Sequence, residues 1–242
     1  MDIYQPAEDS YLLQKFVRRF ATGRVLDMGT GSGIQALTAI EVPSVREVIA
    51  ADINPKAIED LQKEIDKRKL RKIKATRGDL FENLDGYFNV VIFNPPYLPQ
   101  DKGIEDSALY GGKKGWEISE RFFREVSSHL FPEGIVLFLF SSLTNKQKIE
   151  EILEHNLLQW EELGEEKIAF EKLYVYKVIK SPLLRQLEGK LLRNIHYFAE
   201  GKRGIVYTGE FDKSLVIKKQ IPVRKRTITL AIKVKKKDSK ST

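Results

Sequence analysis

Apolar positions along residues 1–180 recur at two spacings, one helical and one extended. From Ala7 to Phe20, the residues Leu12, Leu13, Phe16, Val17 and Phe20 fall at three- and four-residue steps, predicting an amphipathic helix entered after Pro6. Arg24 to Met28 predicts a short buried strand that runs into the glycine-rich turn Asp27-Met28-Gly29-Thr30-Gly31-Ser32-Gly33. A helix over Ile34 to Glu41 and a strand over Glu47 to Asp52 follow. Pro55 then opens a helix with Ile58, Leu61 and Ile65 on its inner face, and Lys72 to Arg77 and Phe88 to Phe93 read as strands. Beyond a long loop, Ile118, Phe122, Val126 and Leu130 predict one helix from Trp116 to Leu130. Gly134 to Phe140 is nearly all apolar, as in a strand covered on both faces. A helix over Lys146 to Asn156 and strands at Trp160–Ala169 and Lys172–Lys180 complete the series. The alternation predicts an α/β fold, a Rossmann-like, doubly wound and mostly parallel sheet. Its last two strands, with no helix between them, form an antiparallel hairpin at one edge.

Ser181-Pro182 marks a boundary, dividing the chain into a body, 1–180, and an extension, 181–242. Short strands are expected there at Ile195–Phe198, Gly204–Thr208, Ser214–Lys219 and Thr227–Lys235, with disorder over Lys235–Thr242. Charge divides at the same place: residues 181–242 hold 16 Lys/Arg against 5 Asp/Glu, a net +11, while residues 1–180 hold 25 against 29, a net −4. The basic extension points to an acidic partner such as RNA, or is simply a solvated surface. The absence of cysteine excludes disulfides, thiolate nucleophiles and cysteine metal sites, and His129, His155 and His196 show no ligand spacing, so no metal site is expected. No apolar run approaches the ~20 residues of a membrane helix, and Met1-Asp2-Ile3-Tyr4 has no export pattern, so a cytoplasmic location is expected.

Two motifs carry chemistry. The strand, glycine turn and helix around Gly29, Gly31 and Gly33 make a nucleotide or anion site, and Gly31 to Ala36 also fits the form used for dinucleotides. Asp52 ends the second strand 19 residues after Gly33, where a carboxylate can accept ribose hydroxyls. Asp79 ends the third strand and either meets an adenine edge or caps a turn. The second motif, Asn94-Pro95-Pro96-Tyr97, follows the apolar run Val90–Phe93. Its side-chain oxygen on Asn94 and backbone carbonyl on Pro95, the latter stiffened by Pro96, can accept both N–H bonds of a planar NH2 group while Tyr97 stacks on it. That arrangement localises and aims a delocalised lone pair, which in-line methyl transfer to an amide or aryl nitrogen requires. Together the motifs predict an N-methyltransferase using S-adenosylmethionine.

These residues resemble the HemK-like class I methyltransferases, in the archaeal and eukaryotic branch that modifies a release factor. The resemblance rests on Tyr4-Gln5-Pro6-Ala7-Glu8-Asp9-Ser10, the Asp27–Gly33 turn, Ala51-Asp52-Ile53-Asn54-Pro55, Phe93–Leu98 and Gly111-Gly112-Lys113-Lys114-Gly115. It implies methylation of the glutamine amide in the factor's Gly-Gly-Gln motif, with Asn94, Pro95 and Tyr97 on the substrate amide. Glu8, Asp27, Gly29, Gly31, Gly33, Asp52, Asp79 and Asn94 would line the cofactor. It also implies a heterodimer with a small zinc-binding activator protein. The loop Leu98–Gly115 either guides the substrate or is an ordinary connection. Residues 189–219 are faintly similar to the opening strands of protein-kinase-like folds, through Glu200–Tyr207 and Val216-Ile217-Lys218, but no catalytic aspartate motif follows. Two alternatives to the release-factor reading stay open: methylation of an amino group on a nucleic acid (or a lysine), and a non-catalytic scaffold.

Overall fold

A computed structural model describes residues 3–98, 112–189, 192–201, 204–211, 221–223 and 226–230. The main sheet has seven strands: β1 (Gly23–Met28), β2 (Val45–Asp52), β3 (Ile73–Arg77), β4 (Phe88–Phe93), β5 (Leu130–Ser141), β6 (Leu158–Ile168) and β7 (Glu171–Lys180). Their order is β3-β2-β1-β4-β5-β7-β6; β1 to β5 run parallel, and β7 runs antiparallel between β5 and β6. The doubly wound sheet with its edge hairpin is therefore as the sequence predicts.

Residue alternation on the central strands divides the core. Leu26 and Met28 of β1, Val91 and Phe93 of β4, and Val136, Phe138 and Phe140 of β5 join one cluster; Val25, Val90, Ile92, Leu137 and Leu139 join the other. The first is covered by Phe122 and Phe123 of α4 (Glu117–Glu125) and by Ile149, Ile152 and Leu153 of α5 (Lys146–His155). The second is covered by α1 (Glu8–Phe20), α2 (Ile34–Ile40) and α3 (Pro55–Arg68) through Leu13, Val17, Ala36, Leu61 and Ile65. Parallel strands with both faces covered have no polar face, hence their continuous apolar runs. Parallel β1 and β4 end side by side, Met28 opposite Phe93, so the glycine turn and the Asn-Pro-Pro-Tyr segment emerge at one edge.

Two expectations change. The helix predicted from Trp116 to Leu130 stops at Glu125; Val126–His129 is a 3-10 turn, and Leu130 already pairs with Phe88 at the start of β5. Val126 and Leu130 are both fully buried, so the apolar spacing was real, but Pro132 disfavours helix in the residue before it. Conversely, Ser181-Pro182 is not a bare boundary. It opens α6 (Pro182–Glu188), with the Ser181 hydroxyl accepting the Leu184 amide at 3.1 Å and Leu184 and Leu187 buried.

Beyond α6 lies a second sheet, ordered β10-β11-β9-β8, built from β8 (Leu192–Gly201), β9 (Gly204–Phe211), β10 (Ile221–Val223) and β11 (Arg226–Leu230). β8 and β9 form an antiparallel hairpin, and β11 runs parallel to β9. Tyr207 is buried with its hydroxyl 3.4 Å from the Glu154 carbonyl, and Tyr197 stacks on His155 at 4.0 Å between ring centroids. The strand expected at Ser214–Lys219, the end of the one expected at Thr227–Lys235 and the tail Lys235–Thr242 lie outside the described residues, as does most of the loop Leu98–Gly115.

Candidate active site

The first half of the site forms where β1 ends. Gly29, Gly31 and Gly33 adopt φ of 65°, 50° and 81°, a region that disfavours side chains. A Cβ on Gly29 would come no nearer than 4.0 Å to the Phe93 ring, and one on Gly31 no nearer than 3.9 Å to the Gly29 carbonyl, so both glycines border open space. Gly33 differs: a Cβ there would sit 2.7 Å from Leu61 Cδ1, so this glycine serves helix packing. Asp27 is buried beneath the turn, where its Oδ2 accepts the Thr30 hydroxyl at 2.6 Å and the Ala36 amide at 3.0 Å. Burial pushes its carboxyl up to about 7, against the lowering effect of those two hydrogen bonds.

Asp52 stands at the end of β2, one oxygen accepting the Gly31 amide and the other the Asn54 amide, each at 2.8 Å. Each oxygen keeps a lone pair, so the carboxylate ties the turn to β2 and can still accept a diol. Glu8 is exposed at the first turn of α1. Asp79 does not converge as simply: Arg121 holds its carboxylate at 2.7 Å, and its backbone closes a turn with Glu82.

The second half follows β4. Asn94, Pro95, Pro96 and Tyr97 line a small pocket with Leu98, Tyr4 and Asp9. Asn94 Nδ2 donates to Asp9 Oδ2 at 2.8 Å, while Asn94 Oδ1 is buried without a hydrogen-bond partner. A buried carbonyl left unpaired costs about 1–3 kcal/mol, so its presence needs a reason. Tyr97 is part-buried, and its backbone carbonyl accepts the Thr144 hydroxyl at 3.0 Å. Burial, and then the negative field of Asp9, raise the phenols of Tyr97 and Tyr4 well above their ordinary range, so both are neutral OH groups at physiological pH.

Asp9 and Tyr4 were in view in the sequence, yet of that segment only Glu8 was given a role. Asp9 is 3% exposed, whereas Glu8 faces solvent. The signal was helical spacing. Asp9 lies three and four residues before Leu12 and Leu13, so α1 must turn it inward, and an inward carboxylate needs donors.

The β3-β2-β1-β4-β5-β7-β6 sheet, with a glycine cradle at β1 and an unpaired amide oxygen at β4, defines a Rossmann-like class I methyltransferase. Residues 8–170 match the Methyltransferase small domain family, and the chain belongs to that family. It is 37% identical over 179 residues to a putative protein N5-glutamine methyltransferase of Methanocaldococcus jannaschii, covering 72% of this chain and 90% of the relative. The human protein named Methyltransferase HEMK2 is 29% identical over 195 residues, covering 74% of this chain and 91% of its own length. Among solved structures, the E. cuniculi Mtq2-Trm112 complex, responsible for methylation of the eRF1 termination factor, has a chain that superposes with a TM-score of 0.61 at 28% identity. That match covers 75% of this chain and all of the other. No described helix is long and apolar enough to cross a membrane.

Proposed function

We propose that this protein transfers a methyl group from S-adenosylmethionine to the side-chain amide nitrogen of a glutamine, the one in the Gly-Gly-Gln motif of a translation release factor. The observation that carries the reading is the buried, unpartnered Oδ1 of Asn94 in a pocket lined by Pro95 and Tyr97. A primary amide brings the two N–H donors that such a pocket lacks. Asn94 Oδ1 takes one N–H, the Pro95 carbonyl takes the other, and Tyr97 lies against the amide plane. The nitrogen lone pair is then aimed at the neighbouring cofactor site. The open space beside Gly29 and Gly31 fits a nucleoside, and the free lone pairs of Asp52 fit its ribose. When bound, the cofactor supplies an electrophilic methyl on a sulfonium. Nearby Asp9 and Glu8 favour that cationic end electrostatically, and the amide proton leaves to solvent after transfer.

The same reading includes a small activator protein. Its zinc would lie in the activator, because this chain has no cysteine to ligate it. Of the two sheet edges, β6 carries Glu161, Glu162, Glu165 and Glu166, so the less acidic β3 edge is the better seat for an apolar partner strand. The body, 1–180, would carry the chemistry and the basic extension, 181–242, would contact RNA or the ribosome. Methylation of a nucleic-acid amino group is the second reading, favoured by the net +11 of that extension. The test offers labelled cofactor to the activator-bound enzyme with the native factor, its Gln→Asn form at Gly-Gly-Gln, and total RNA. Label on the native factor alone is expected; label on RNA alone would install the second reading.

A further inference from the structure

Asparagine is ambiguous as a recognition group, because its oxygen and NH2 ends have nearly the same shape and opposite hydrogen-bonding sense. We infer that Asp9 removes this ambiguity: it is the positioning residue that makes the pocket select an NH2 donor over a carboxylate, and hence glutamine over glutamate. The inference rests on the reading of the site as a glutamine-amide pocket.

The fixing of orientation can be followed inward. The Ser10 amide and the Tyr4 hydroxyl both donate to Asp9 Oδ1, at 2.6 and 3.0 Å, with the Ser10 hydroxyl on the same oxygen at 3.2 Å. Asp9 Oδ2 is thereby directed at Asn94, whose Nδ2 lies 2.8 Å away. A carboxylate offers only acceptors, so Asn94 must present its NH2 to Asp9 and its oxygen to the pocket. That oxygen is the buried one without a partner. A glutamine amide entering the pocket satisfies it. A glutamate carboxylate would oppose acceptor to acceptor, next to the charge of Asp9, and leave both unpaired.

The arrangement predicts an unusual effect of a nearly isosteric change. In Asp9→Asn the Ser10 amide still requires an acceptor, so the new amide keeps its oxygen at the Oδ1 position and places NH2 where Oδ2 was. Asn94 then turns over to accept that NH2 and shows its own NH2 to the pocket. Selectivity should therefore move from glutamine towards glutamate, a change that a purely structural role for Asp9 would not produce.

The experiment titrates the activator-bound enzyme with the native release factor and with its Gln→Glu form at the Gly-Gly-Gln motif. The wild-type enzyme should prefer the native factor by on the order of 10²-fold, as expected for one buried acceptor left unpaired. Asp9→Asn should lose at least about ten-fold of that preference, read as the ratio of the two factors at saturating S-adenosylmethionine so that a weaker cofactor affinity cancels. An unchanged Gln/Glu ratio in a variant that still binds the cofactor would overturn the inference. Should Asp9→Asn fail to fold, the wild type alone decides: the Asn94 side-chain NH2 should be protected from hydrogen exchange before substrate is added, and free exchange would overturn the assignment. Absence of methyl transfer to the native factor by the wild type would sink the functional reading itself. Transfer with an unchanged ratio in the variant sinks only this inference.

Discussion

The side chains that matter here are defined less by their type than by which of their atoms are already engaged. Asn94 has one end tied to Asp9 and the other buried and unpaired. Replacing it by alanine should lower kcat by on the order of 10²–10³, the effect of losing one oriented hydrogen bond to the reacting group, with little change in cofactor dissociation constant measured by calorimetry. Asp27 leads to a different prediction. Its carboxyl rises from 3.8 to about 7 on folding, so between those values the folded protein holds a proton that the unfolded chain has released. The stability contribution of this group is complete at acid pH and is lost as pH climbs through that window. In Asp27→Asn, whose oxygen can still accept from Thr30 and Ala36, that loss should vanish. The stability difference between variant and wild type, read from denaturation midpoints, should thus grow in the variant's favour from about pH 4 to about pH 7 and then level off. At this scale the sequence announced Asn94, Pro95 and Tyr97 because their chemistry is rare in combination. It concealed Asp9, whose importance comes from a partner 85 positions away.

Elements were legible wherever one local signal sufficed. The apolar β4 and the amphipathic α1 lie close to their predicted limits, and α3 starts at Pro55 as expected, because burial on one or both faces writes directly into residue spacing. Two differences from the expected elements came from competing signals. Leu130 fits a helical period from Ile118 yet enters β5, since pairing with Phe88 extends the central sheet. Ser181-Pro182 was read as punctuation, although serine before proline is also a helix start, and α6 begins there. The glycine turn shows the same need for tertiary information: Gly29 and Gly31 face open space, but Gly33 lies under α3. Gly33→Ala combines a φ of 81° with a 2.7 Å approach to Leu61, and should destabilise the fold by about 1–3 kcal/mol in urea denaturation. Restoring space through Leu61→Ala in the same chain should recover less than the full loss, because the backbone angle remains unfavourable.

For the whole molecule, the contrast in charge pointed to a change of role near residue 181, while α6 stays bound to the body by a contact that composition does not reveal. Lys180, 2% exposed at the end of β7, pairs with Glu188 of α6 at 2.7 Å. Burial lowers its ammonium, and the Glu188 carboxylate partly restores it. Glu188→Gln would leave that ammonium buried with a neutral partner, at a cost on the order of 3 kcal/mol measured by denaturation. A chain ending after Lys180 should be less stable than one ending after Gly189, because it loses the Glu188 partner of Lys180 and the buried Leu184 and Leu187. The second sheet was only partly legible, because its strands lack long apolar runs and its contacts with α5, through Tyr197 and Tyr207, are long-range. The claim that joins these scales is that an acceptor-lined pocket at the end of β4 receives a glutamine amide. Mass spectrometry of the release factor after incubation with activator-bound enzyme and S-adenosylmethionine tests it most directly. The account predicts one methyl group on the side-chain nitrogen of the Gly-Gly-Gln glutamine, lost with Asn94→Ala. A methyl group on another residue, or an equal yield with Asn94→Ala, would contradict it.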